Sequence, residues 1–324
     1  MKEEIIKAVT LLNEGKVVAI PTETVYGLAA NAFDENAVRQ IFEIKQRPTF
    51  NPLIVHIKSI DDLEKVASNI PDKAMKLAKH FWPGALTLVL PKKENIPNIV
   101  TAGKDTVGVR VPAHSIALDL LNQLDFPLAA PSANPFGSIS PTSAEHVQKQ
   151  LGNKVPFILD GGNCEKGIES TIIGFENDVP ILYRLGSIAI EEIENEIGPI
   201  TIKNFEEQNP SAPGMLKRHY APQTKTIVTN DLNDVVNFYK GKRIGLLLFN
   251  TRNNDETIIH QEVLSISGNL NEAASQLYAA LHRLDALNLD VIIAEQFPDN
   301  QLGRAINDRL KRATVSKNPL NILN

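Results

Sequence analysis

Apolar runs of four to six residues, each closed by glycine, proline or polar residues, recur along this chain: VVAI at 17–20, PLIVHI at 52–57, TLVL at 87–90, VGVRV at 107–111, PLAA at 127–130, FILD at 157–160, STII at 170–173 and ILYRL at 181–185. Runs of that length read as strands. The amphipathic stretches between several of them read as helices, which makes the fold α/β. Where two runs lie too close for a crossover helix, their strands must pair antiparallel, so the sheet is expected to be mixed. Ser59 with Asp62, and Thr142 with Glu145, are spaced as capping boxes and mark expected helix starts.

After the helix-like AIEEIENEIG the pattern dissolves into EEQNPSAPGMLKRHYAPQTK, which holds Pro210, Pro213, Gly214 and Pro222 and has no apolar periodicity. This segment reads as a linker. Beyond it, TIVT, KRIGLLLF and DVIIAE are strand-like, and Asn271–Leu287 and Gln301–Ala313 have helical period. A chain of 324 residues exceeds the usual size of one hydrophobic core. The expected organisation is a larger α/β domain over 1–207, a linker over 208–224 and a smaller α/β domain over 225–324.

The net charge of −5 and the absence of a basic stripe argue against a protein that coats nucleic acid, so no stable nucleic-acid binding is expected and any anion site must be local. One cysteine, Cys164, excludes an internal disulfide and a cysteine-based zinc site. The seven histidines (His56, His80, His114, His146, His219, His260 and His282) lack metal-ligand spacing, so no metal held by the protein is expected. The opening MKEEIIKAVTLLNEGK reads as an amphipathic helix rather than a signal peptide, and no apolar run approaches the roughly 18 residues of a membrane span. A cytoplasmic protein is expected.

Candidate chemistry concentrates in PTETVYGLAANAFDENAVRQIFEIKQRPTFNPLIVHI, residues 21–57. Thr22, Glu23, Thr24 and Tyr26 follow a buried-looking strand directly, at the end where α/β folds bind ligands. Taken alone, this stretch reads as a polar turn before it reads as a site. Lys45 and Arg47 end the helix that begins at Asp34 and stand just before Pro48, which fixes two cations on a stiff turn. In isolation they would serve only to complement the helix dipole. Asn51 and His56 add polar groups to a strand otherwise apolar enough for a core, where a lone histidine is more often a satisfied core residue. Arg110 interrupts the apolar alternation of TVGVRVPAH, with Thr106 before it, and a buried guanidinium must find a carboxylate or phosphate. The loop AAPSANPFGSISPT offers Ser132, Asn134, Ser138 and Ser140, while Glu169, Ser170 and Thr171 enter a strand and Arg184 lies in YRLG. No Walker loop, no G-x-G-x-x-G after a strand and no G-x-S-x-G elbow is present.

PTETVYGL, KQRPTFNPLIVHI, VGVRVPAH and PSANPFGSISPT, in this order, resemble the YrdC-like threonylcarbamoyl-AMP synthases, and SAPGMLKRHYAP and QLGRAINDRLKRAT resemble the linker and closing helix of the long, two-domain form. The resemblance implies an N-terminal YrdC-like domain, a mixed twisted sheet with helices, followed by a linker and a smaller Rossmann-like α/β domain; Lys217, Arg218, His219 and Tyr220 on the Pro-flanked linker suit it to fold over the cavity as a lid. It implies a nucleotidyltransferase that makes L-threonylcarbamoyladenylate and pyrophosphate from L-threonine, bicarbonate or CO2, and ATP. The product would pass to proteins that modify tRNA next to the anticodon. Carried over residue by residue, it implies that Lys45, Arg47, Asn51, Thr106, Ser132, Asn134, Ser140, Arg184 and Tyr220 surround ATP, with Lys45 and Arg47 catalytic, and that Thr24, His56, Arg110 and Ser170 surround L-threonine. Mg2+ would arrive on the ATP phosphates. Two rivals make different predictions. An RNA-binding module would bind RNA without ATP turnover. A carbamoyl-phosphate-using relative from hydrogenase maturation would carry acylphosphatase-like and zinc-finger segments, and this chain has neither.

Overall fold

The computed structural model describes residues 1–203, 213–215 and 219–314. The chain divides into two compact units, one of Met1–Phe136 with Ser140–Leu216 and one of Gly137–Ile139 with Lys217–Asn324. Pro213–Met215, expected in the linker, thus belongs with the first unit, and Gly137–Ile139 with the second. The other linker residues 208–212 and 216–218 lie outside the described residues.

In the first unit the strands are β1 (Val18–Ile20), β2 (Gly27–Asn31), β3 (Ile54–His56), β4 (Leu86–Pro91), β5 (Thr106–Arg110), β6 (Leu128–Ala129), β7 (Thr171–Glu176), β8 (Val179–Arg184) and β9 (Thr201–Ile202). They form one sheet in the order β1-β2-β6-β3-β5-β4-β7-β8-β9. The pairs β3/β5, β4/β7 and β8/β9 are parallel and the rest antiparallel, so the sheet is mixed. Its helices are α1 (Lys2–Asn13), α2 (Glu35–Lys45), α3 (Leu63–Val66), α4 (Asp72–Phe81), α5 (Asn98–Thr101), α6 (Ser115–Asn122), α7 (Ala144–Leu151) and α8 (Ile190–Ile197).

Residues opposite one another in register share a face, and side chains alternate along each strand. Val55, Val109, Leu88, Ile173 and Leu182 form one such row across five strands. They enter the main core with Val38 and Ile41 of α2, Leu77 of α4 and Ile193 of α8. The neighbouring row, on the opposite face, runs from Leu128 through His56 and Arg110 to Thr87 and Ile172. At one end of this second face α1 and α6 bury Leu12, Leu120 and Leu121 against Val18, Ile20 and Leu128. At the other end Ile54, Val89, Ile172, Ile181, Tyr183 and Met215 form a separate apolar cluster. The polar strip of His56, Arg110 and Thr87 thus lies between two apolar clusters.

The second unit holds β10 (Thr226–Thr229), β11 (Ile244–Leu248), β12 (His260–Val263) and β13 (Val291–Glu295) in the order β10-β13-β11-β12, all parallel. Its helices are α9 (Leu232–Phe238), α10 (Leu270–Asp285) and α11 (Gln301–Ala313). Parallel strands, with α9 between β10 and β11 and α10 between β12 and β13, give the Rossmann-like arrangement expected.

Three expectations are corrected. FILD at 157–160 is not a strand. Ile158 makes only an isolated bridge to Ala19, because Pro156 and the Gly161–Gly162 turn leave no room to extend the pairing. Ser59 starts a 3-10 turn, Ile60–Asp62, without a side-chain cap bond. The cap of α7 is Ser143 rather than Thr142, and its Oγ accepts the His146 N–H at 3.2 Å.

Candidate active site

The β1–β2 connection gives the site its first wall. Thr22 Oγ1 donates to Val25 O at 2.6 Å and accepts the Val25 N–H at 3.2 Å, so its hydroxyl closes the turn from within. It also lies 2.9 Å from Thr24 Oγ1. Thr24 in turn accepts a 2.9 Å hydrogen bond from Arg110 Nη1. The anionic partner that a buried Arg110 requires is Glu23: Nη2 donates to Glu23 Oε1 at 2.5 Å, with both side chains almost fully buried. Arg110 Nε donates to Gly84 O at 3.1 Å, and the second Glu23 oxygen accepts the Ala113 N–H at 3.0 Å. Burial by itself would raise the Glu23 pKa. The Arg110 charge and hydrogen bond, together with backbone N–H donors, hold it below the usual carboxylate value instead.

His56 stands next to Arg110 in register, on β3. Burial, reinforced by the Arg110 charge, pushes its pKa down to about 3, so the imidazole is neutral at any working pH. Its Nδ1 is buried and has no hydrogen-bond partner, and the same holds for both amide atoms of Asn51. Unsatisfied buried polar atoms in a native fold call for an explanation, and a ligand is one.

The second wall comes from two motifs that are pinned together. Asp34 caps α2 by accepting from Asn36 N–H and Ala37 N–H, and the helix ends at Lys45 with Gln46 in the left-handed region at φ 52°. That ending turns Lys45 inward, where Nζ donates to the carbonyls of both Ser132 and Asn134 at 2.5 Å. Burial, and then the neighbouring Arg47 charge, hold the Lys45 ammonium well below the ordinary lysine value. Arg47 donates from Nε to Asn51 O at 3.1 Å and from Nη2 to Pro52 O at 2.8 Å, shaping the turn that carries Asn51.

Farther along the sheet, Ser170 Oγ lies 2.8 Å from Thr87 Oγ1 and accepts from Arg184 Nη2 at 3.0 Å. Arg184 also donates to Ser170 O and to Pro213 O. Ser140 Oγ donates to Glu169 Oε1 at 2.6 Å. Thr106 opens β5, four residues before Arg110, and so faces the same side of the sheet. Tyr220 is described with the second unit, where its ring stacks on Tyr278 at 5.8 Å and lies 4.9 Å from the Arg309 guanidinium.

Direct hydrogen bonds therefore join Thr24 to Arg110, Lys45 to Ser132 and Asn134, Arg47 to Asn51, and Ser170 to Arg184. Glu23 and Glu169 stand among the candidate residues of the sequence but outside the set that the resemblance assigns to ligands, and Thr87 stands outside both. Glu23 had a signal, since it is the one carboxylate in PTETVYGL and Arg110 demanded a counter-charge. Thr87, inside an apolar strand, had none. Among the described residues no group of three or more His, Cys, Asp or Glu side chains gathers to hold a metal ion, and no helix is long and apolar enough to cross a membrane.

The Sua5_yciO_yrdC family model, described as telomere recombination, matches residues 10–186. The model described as the threonylcarbamoyl-AMP synthase C-terminal domain matches residues 188–315. A threonylcarbamoyl-AMP synthase of Pyrococcus abyssi is 45% identical over 95% of this chain and 93% of its own length. One of Bacillus subtilis is 43% identical over 96% of this chain and 92% of its own. The crystal structure of P. abyssi Sua5 complexed with L-threonine superposes with a TM-score of 0.91 at 44% identity, covering 97% of this chain and 95% of that one. Matches that span both units at this identity make the chain a member of the threonylcarbamoyl-AMP synthase family.

Proposed function

We propose that this site makes L-threonylcarbamoyladenylate from L-threonine, bicarbonate or CO2, and MgATP, with release of pyrophosphate. The observation that carries the reading is Arg110: a buried guanidinium, fixed on three sides by Glu23, Thr24 and Gly84, beside a neutral His56 with an open Nδ1. This is a preformed receptor for a carboxylate flanked by a polar group, and Thr24, His56, Arg110 and Ser170 are assigned to L-threonine.

The free amine of threonine takes up CO2, supplied as such or by loss of hydroxide from bicarbonate, and the N–H proton passes to solvent as the carbamate forms. A carbamate oxygen attacks the α-phosphorus of ATP, and the bond to the β-phosphate oxygen breaks as pyrophosphate leaves. Both reactants are anions, so the protein's part is to align them and neutralise charge. That task is assigned to Lys45 and Arg47, with Asn51, Thr106, Ser132, Asn134, Ser140, Arg184 and Tyr220 as the other ATP contacts. Glu23 and Glu169 already accept bonds from Arg110, Ala113 and Ser140. Mg2+ comes with the nucleotide substrate, held by its phosphates. The adenylate is then handed to proteins that transfer threonylcarbamoyl to tRNA adenosine beside the anticodon, in the cytoplasm.

The test follows pyrophosphate from the purified chain supplied with ATP, Mg2+, bicarbonate and a panel of amino acids. Release that depends on both L-threonine and bicarbonate is expected. Release that persists without either would overturn the reading.

A further inference from the structure

Arg110 carries five N–H donors and uses three of them inside the protein, on Gly84 O, Thr24 Oγ1 and Glu23 Oε1. One N–H remains on each Nη atom, and a ligand carboxylate can accept from these. A carboxylate seated there lies beside the Glu23 carboxylate, because Glu23 Oε1 is only 2.5 Å from Nη2. Glu23 is not placed to swing aside. Its second oxygen is held by the Ala113 N–H at 3.0 Å, and its own carbonyl accepts the Lys166 N–H at 2.7 Å. Of its neighbours, His56 is neutral, and burial pushes the Cys164 thiol up to about 12.

Two carboxylates on one guanidinium repel each other, so a simple carboxylate anion is a poor ligand for this pair. An α-amino acid differs in one respect. Its ammonium group adjoins its carboxylate and gives Glu23 a positive partner. We infer that Glu23 is a specificity-determining residue, selecting a zwitterionic amino acid over carboxylates that lack the α-amine. The inference rests on the reading of this site as a threonine pocket.

The absolute affinity for threonine does not test this, because removing the Glu23 charge has opposed effects. It exposes more of the Arg110 charge to any carboxylate, and it deprives the ammonium of its partner. Both kinds of ligand feel the first effect, and only the amino acid feels the second. The ratio of affinities for an amino acid and its amine-free analogue therefore isolates the role of Glu23, with a sign that does not depend on how Arg110 responds.

The experiment is equilibrium competition between L-threonine and (R)-3-hydroxybutanoate, which keeps the carboxylate and hydroxyl and lacks the amine. It uses the full-length wild type, Glu23→Gln and Glu23→Asp, each checked for folding by its thermal transition. The wild type should prefer threonine, Glu23→Gln should lose on the order of tenfold of that preference, and Glu23→Asp, which keeps the charge, should retain most of it. An unchanged preference in folded Glu23→Gln overturns the inference. If Glu23→Gln does not fold, the wild type still decides. Its threonine affinity should fall with rising pH above the pKa of the free amine, while that for (R)-3-hydroxybutanoate should not, and a flat threonine profile overturns the inference. A wild type that binds no L-threonine at all defeats the reading of the pocket itself rather than the role of Glu23.

Discussion

At the scale of single residues, the site is set by what burial does to charge. His56 is almost fully buried and its pKa is pushed down to about 3 from an ordinary value near 6.5. In the unfolded chain the imidazole takes a proton as pH falls through about 6.5, whereas in the folded chain it stays neutral until about pH 3. Between those values the unfolded state binds more protons, so stability must fall with falling pH. From pH 6.5 to 5 this residue should cost about 1–2 kcal/mol of unfolding free energy. A His56→Gln variant should lack that component when urea denaturation is compared at the two pH values, and identical pH slopes in the two proteins would refute the assignment. Arg110 shows the complementary case. Replacing it with Met leaves Glu23 buried without its partner and should destabilise the first unit by about 3–5 kcal/mol in the same assay. The sequence stated the need for a counter-charge but not its source, since Glu23 lies 87 positions from Arg110.

At the scale of elements, Lys45 does more than carry charge. It joins the C-terminus of α2 to the Ser132–Asn134 segment, and Phe136 N–H returns a bond to Lys45 O at 2.9 Å. The two motifs that stand out separately in the sequence are one physical unit. Lys45→Met should leave the two carbonyls without their donor, at a cost of about 1–3 kcal/mol each. Amide exchange near residues 132–136 should accelerate, and pyrophosphate release should fall. If turnover falls while exchange in that segment is unchanged, the pin is not the source of the loss. Gln46, left-handed at φ 52°, invites a gentler test. Gln46→Gly removes the Cβ strain at that cap and should stabilise α2 by up to about 1 kcal/mol, while Gln46→Val should cost more than that. Elements with apolar alternation or clear period, such as β3, β5 and α11, were legible in the sequence. The strand β2 was hidden because GLAAN is built of small residues that pack on either face. The strand β12 was hidden because HQEV is polar. Site residues on turns were legible as motifs, but their partners across the sheet needed the register.

At the scale of the whole chain, sequence composition marks where regular patterning stops, and packing marks where a unit ends. The two differ here. Proline and glycine around 210–222 read as linker, yet Met215 is fully buried among Ile54, Val89, Ile172, Ile181 and Tyr183 of the first unit. Arg184, on the same sheet, donates to Pro213 O at 3.2 Å. Met215 therefore completes the apolar cluster that borders the polar strip. Truncating this side chain to alanine should remove about 2–4 kcal/mol from the first unit, and Met215→Leu, which keeps the volume, should cost less than about 1.5 kcal/mol. The chain supplies its own reporter for the test. Its one tryptophan, Trp82, lies in the first unit, nearly buried, with Nε1 donating to Leu86 O at 2.8 Å. Tryptophan fluorescence in a denaturant titration thus follows the first unit alone, while far-ultraviolet circular dichroism follows both. Met215→Ala should shift the fluorescence midpoint to lower denaturant and leave any separate transition of the second unit in place. A fluorescence midpoint equal to the wild type would mean that Met215, for all its burial, is not part of what holds the sheet together.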